Sequence, residues 1–61
     1  MKIREVIKRL EDEGWTILRQ KGGHRQYRKP GNPNVVTVAG KPSNDVKPGI
    51  YSSIAQKAGW K

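Results

Sequence analysis

Sixty-one residues with 13 Lys plus Arg against 5 Asp plus Glu, a net charge of +8, one histidine and no cysteine exclude a disulfide framework and a zinc cluster, the usual staples of small domains. So short a chain makes one domain at most, residues 1–61, burying only about 60% of the surface its unfolded form exposes, so a partner would help to hold its thin core. A mean hydropathy of −0.89 and a charged opening, MKIREVIKRLEDE, exclude a membrane-spanning helix and lack the apolar stretch of a signal peptide, which predicts a cytoplasmic protein with no membrane partner.

Ile3, Val6, Ile7 and Leu10 fall at i, i+3, i+4 and i+7, the apolar stripe of an amphipathic helix over roughly residues 2–13. Gly14 ends it by taking the left-handed conformation, and Trp15 packs back on the last turn in a Schellman ending. The same device recurs in KAGW at 57–60, so Trp15 and Trp60 read as core staples rather than base-stacking platforms. WTILRQK predicts a first strand, Gly22 and Gly23 a tight hairpin turn, and HRQYRK a second strand. The cluster PGNPN reads as a turn and VVTVA as a third strand over 35–39. A loop, GKPSNDVK, leads to PGIYSSIAQKAG, where Ile50, Ile54 and Ala58 restore helical spacing and Pro48 suits the first helical position. The expected fold class is α+β, in the order α-β-β-β-α, with a three-stranded antiparallel sheet carrying two helices on one face.

Alternation along the second strand sets His24, Gln26 and Arg28 on one face and Arg25, Tyr27 and Lys29 on the other. Tyr27 has the only large apolar area in that strand, so its face belongs to the helices and His24 and Arg28 look outward. Arg25 and Lys29 then lay their stems along the edge with their charges in water. The first thirteen residues are net neutral, whereas six basic residues (Arg19, Lys21, Arg25, Arg28, Lys29 and Lys41) and no acid lie between Gly14 and Asn44. Such a block favours a nucleic-acid partner over a merely solvated face.

Glu11, Asp12 and Glu13 are consecutive and point in different directions on a helix, so they do not converge on a metal; no metal and no cofactor is expected. Ser43, Ser52 and Ser53 lack the sharp turn that exposes a catalytic serine. His24 remains, an imidazole that exchanges a proton near pH 7. RNA offers a matching target: its 2′-hydroxyl, once deprotonated, attacks the adjacent phosphorus and leaves a 2′,3′-cyclic phosphate and a 5′-hydroxyl. That reaction needs a base, here His24, and cations for the phosphorane charge, here Arg19, Lys21, Arg25, Arg28 and Lys29, with Lys41 nearby. Gly22 and Gly23 either present backbone N–H groups to phosphate or only turn the hairpin. Two other readings stay open: a non-catalytic module recognising A-form RNA by its shape, and a subunit that serves DNA binding through its partner.

EDEGWTILRQKGGHRQYRKP, the valine strand and KPGIYSSIAQKAGW resemble the HicA (YcfA-like) toxins, small proteins with a double-stranded-RNA-binding-domain fold. The likeness spans nearly the whole chain. Its most specific elements are Gly22-Gly23-His24 with Tyr27 beyond, and the spacing from Pro48, Gly49 and Ile54 to Ala58 and Gly59. The resemblance implies the toxin of a type II toxin–antitoxin pair, an mRNA interferase with His24 as catalytic residue and a HicB-like antitoxin as partner. The chain departs from the family pattern at two places: Gly23 stands where serine is usual, and Ala39 stands near the place of a second histidine. If that second imidazole is an acid in the family, water or Lys41 has to protonate the leaving oxygen here.

Overall fold

The computed structural model, which describes residues 1–60, follows the expected order: α1 (Ile3–Asp12), β1 (Thr16–Lys21), β2 (His24–Lys29), β3 (Asn32–Ala39) and α2 (Pro48–Ala58). Ile3, Val6 and Leu10, the α1 stripe, are buried. The free N–H groups that open every helix find partners in α1 from the 40–47 loop: Ile3 donates to the Asn44 carbonyl at 2.8 Å and Arg4 to that of Pro42 at 3.0 Å. The Lys2 N–H donates to the Glu5 carboxylate, and the Lys2 ammonium pairs with Asp45 at 3.0 Å. The loop is thereby laced to the start of the helix.

Both helices end as their glycines predict. Gly14 sits at φ +96°, Trp15 N–H donates to the Leu10 carbonyl at 2.9 Å and Gly14 N–H to that of Glu11 at 3.1 Å, the paired bonds of a Schellman motif. Gly59 at φ +79° lets the Trp60 N–H reach the Ala55 carbonyl at 2.8 Å. These endings turn Trp15 and Trp60 inward to join Tyr27, Val36, Val38 and Ile54 in the core.

The sheet is an antiparallel meander in the order β1-β2-β3. At the first turn only Gly22 is left-handed, at φ +59°, as in a type II′ hairpin turn. At the second, Pro30 precedes Gly31 at φ +83°, the residue order of a type II turn. The third strand begins at Asn32, paired with Lys29, and not at Val35; only the first two residues of PGNPN make the turn. Pro33 fits the strand because β3 is an edge, where a missing N–H breaks no ladder, and the Asn34 N–H is met locally by the Asn32 side-chain oxygen at 2.8 Å. Tyr27, Val36 and Val38 face both helices; none of the described residues covers the opposite face of the sheet. Among the described residues, no helix is long and apolar enough to cross a membrane.

Candidate functional site on the open sheet face

Cross-strand pairing decides which side chains meet. His24 lies between Lys21 on β1 and Ala39 on β3, and Gln26 lies between Arg19 and Thr37. Directly opposed residues share a face with their Cβ atoms about 4.5–5.5 Å apart. Both triplets face away from the core, because Tyr27 and its partner Val36 are buried on the other side.

A β-bulge aims the two basic side chains of β1. Ile17 pairs with Tyr27 on the helix side, and strict alternation from there would carry Arg19 and Lys21 to the helix side as well. The register instead shifts between Ile17 and Arg19, so that Leu18 is the extra residue and everything after it changes face. Arg19 and Lys21 therefore join His24 outside. Arg19, Lys21, His24, Gln26 and Thr37 line an open hollow of about 430 Å³, and His24 at its rim is exposed.

The remaining basic residues are distributed differently. Arg28 shares the outer face but stands four residues along β2, about 13 Å away. There it borders a second hollow of about 280 Å³ with Leu18, Lys29, the Pro30–Gly31 turn and the start of β3. Arg25 lies on the helix side, half-buried, its guanidinium donating to the Gly40 carbonyl at 3.4 Å. Lys29 is also on that side, with its stem against Gly14. Lys41 is exposed just beyond Gly40, whose N–H donates to the Gly23 carbonyl at 3.0 Å and ties the 40–47 loop to the hairpin turn. Gly22 and Gly23 are exposed at the turn beside His24.

Gln26 and Thr37 were not singled out by the sequence reasoning. Alternation alone places Gln26 on the face of His24, but Thr37 enters only through the register with β3, which no local pattern encodes. Together they add neutral hydrogen-bonding groups to a floor otherwise made of cations and one imidazole. The Tyr27 phenol offers no further proton there: it is buried on the other face, and burial pushes its pKa up. Among the described residues, no three His, Cys, Asp or Glu side chains come together as a metal site would require. The chemistry available at the hollow is proton transfer by an imidazole, anion binding by Arg19 and Lys21, and hydrogen bonding by Gln26 and Thr37.

A family model described as the HicA toxin of bacterial toxin–antitoxin systems matches residues 3–60. Among solved structures, a chain of one described as "HicA3 and HicB3 toxin-antitoxin complex" is 35% identical, with a TM-score of 0.80 over 100% of this chain and 97% of that one. No curated protein sequence matches the chain at a significant level.

Proposed function

The chain belongs to the HicA family of toxins from bacterial toxin–antitoxin systems, and on that premise we propose that it is a metal-independent mRNA endoribonuclease with His24 as catalytic base. One neutral imidazole nitrogen takes the proton of a 2′-hydroxyl, the freed oxygen bonds to the adjacent phosphorus, and the bond from phosphorus to the 5′-oxygen breaks. The products are a 2′,3′-cyclic phosphate and a 5′-hydroxyl. Arg19 and Lys21 hold the phosphate and offset the charge that builds on its oxygens. Arg28, on the same face, meets the strand farther along, and the Gly22–Gly23 turn and Lys41 flank its path. Arg25 and Lys29, on the helix side, contribute to the general attraction of a +8 chain for a polyanion rather than to the reacting phosphate.

The observation that carries this reading is the place of His24: an exposed imidazole on the sheet face that none of the described residues covers, in a hollow it shares with two cations. Metal independence is supported by the donor set, since the described residues bring no carboxylate cluster together. The relative solved with HicB3 supports a HicB-like antitoxin as this chain's partner, one that opposes the basic face with acidic groups. Both partners would meet in the cytoplasm, where mRNA is found.

The test uses purified protein and single-stranded RNA at neutral pH, with EDTA and with Mg²⁺. Wild type should cut in both, and His24→Ala should stop cutting while binding RNA with little change. A wild-type protein that binds RNA and leaves it intact in both buffers would instead be a binding module of the A-form-recognising kind.

A further inference from the structure

The leaving 5′-oxygen needs a proton, and the five side chains of the hollow differ sharply in whether they can give one. Gln26 has no ionisable proton. The Thr37 hydroxyl does not ionise in this range, and the Arg19 guanidinium does not release its proton in a protein. An imidazole and an ammonium remain, His24 and Lys21. In-line displacement sets the entering and leaving oxygens on opposite sides of phosphorus, so a base and an acid flanking the phosphate serve the two ends separately.

Lys21 is the direct cross-strand partner of His24, and the two close the two-residue turn on the same face and line the same hollow. Their Cβ atoms are about 4.5–5.5 Å apart, and the four-carbon stem carries the ammonium across the width of a phosphate. Among the described residues, the Lys21 ammonium takes part in no ion pair or hydrogen bond, so it is free to engage a substrate. The other flank of His24 is Ala39, a methyl group with nothing to donate. Lys41 lies beyond the strand and does not line the hollow.

We infer that Lys21 is the general acid of the cleavage, paired with His24 as base. This rests on the endoribonuclease reading above and assigns the proton donor it left unnamed. As the bond from phosphorus to the 5′-oxygen breaks, Lys21 gives that oxygen a proton while His24 holds the one taken from the 2′-hydroxyl. The imidazolium and the neutral amine that result exchange protons with water at neutral pH and return to their starting states.

The experiment compares wild type, Lys21→Arg and His24→Ala on two RNA oligonucleotides: one ordinary, one with the 5′-oxygen of the cleaved bond replaced by sulfur. A thiolate leaves without protonation, so the second substrate does not need an acid. Lys21→Arg keeps the positive charge and should bind RNA as wild type does. It should cut the ordinary substrate about 10²–10⁴-fold more slowly and the sulfur substrate within about tenfold of the wild-type rate, while His24→Ala stays slow on both. Equal cutting of ordinary RNA by Lys21→Arg and wild type, or a Lys21→Arg defect that sulfur does not relieve, overturns the assignment and leaves Lys21 a phosphate contact. Failure of wild type to cut either oligonucleotide, or undiminished cutting by His24→Ala, overturns the endoribonuclease reading itself.

Discussion

The two glycines ahead of His24 differ in what they permit. Gly22 has φ +59°, where a side chain costs about 1–2 kcal/mol, so Gly22→Ala should lower the urea midpoint although no atom of the described residues lies within 4 Å of the added methyl. Gly23 is not left-handed, and a Cβ there meets only the Gly40 nitrogen at 3.9 Å, an ordinary contact. Gly23→Ser should therefore change stability by no more than about 0.5 kcal/mol while setting a hydroxyl beside His24. Ala39, the cross-strand neighbour of His24, offers a second probe. Lys21 on β1 and Ala39 on β3 flank His24 from opposite sides, so Ala39→His introduced into the Lys21→Arg protein should leave cutting slow. Cutting restored by the new imidazole would mean that the leaving oxygen faces the β3 flank and not Lys21.

At the scale of elements, what could be read in advance is what carries its own local chemistry. The stripe Ile3, Val6 and Leu10 followed by Gly14 and Trp15 specifies a helix and its ending within one stretch of chain, and both helices end at a left-handed glycine whose following tryptophan bonds back to the last turn. The start of β3 was hidden because Pro33 and two asparagines look like a turn unless the strand is known to be an edge. The bulge at Leu18 was hidden more deeply: nothing in TILRQK marks the skipped residue, yet it decides that Arg19 and Lys21 share the face of His24. Deleting Leu18 should leave Ile17 opposite Tyr27 and Arg19 opposite Gln26 in a regular ladder, so RNA affinity should persist. Affinity lost in a variant that still shows native circular dichroism would mean the bulge itself shapes the surface.

The ends of the two helices are joined by a polar contact that residue spacing did not reveal. The Trp60 indole donates to the Glu13 carboxylate at 2.7 Å, Arg9 pairs with the same carboxylate at 3.2 Å, and the Arg9 guanidinium lies 4.1 Å from the Trp60 ring centre. The Trp60 hydrogen bond, aided by Arg9 and opposed by partial burial, holds the Glu13 pKa below its ordinary value. A carboxylate with a depressed folded-state pKa stabilises above its unfolded value, about pH 4.3, and loses that contribution as pH falls through the lower folded value. Glu13→Gln should then cost about 0.5–1 kcal/mol at pH 7, a small figure because solvent reaches the site, and nothing near pH 2. A cost that persists undiminished in acid would assign the effect to packing rather than charge.

Across the whole molecule, the fold separates two tasks by face. One side of a three-stranded sheet is spent on the core beneath the helices; the other stays open and carries His24, Arg19, Lys21 and Arg28. Sequence alternation along β2 already separated Arg28 from Arg25 and Lys29, whereas charge counting alone treated all six basic residues of the central block as equivalent. With three cations on the face, the logarithm of RNA affinity should fall with the logarithm of salt at a slope of about −2, from roughly −0.7 per single-strand phosphate contact. Arg28→Ala should make that slope shallower by one such step, and Arg25→Ala should leave it nearly unchanged.

The most direct measurement is the chemistry of the cut ends. RNA incubated in EDTA with the purified protein should carry 2′,3′-cyclic phosphate and 5′-hydroxyl termini, formed by wild type and absent with His24→Ala. Ends bearing 3′-hydroxyl and 5′-phosphate, or cutting that appears only when Mg²⁺ is supplied, would contradict an imidazole acting on the 2′-hydroxyl.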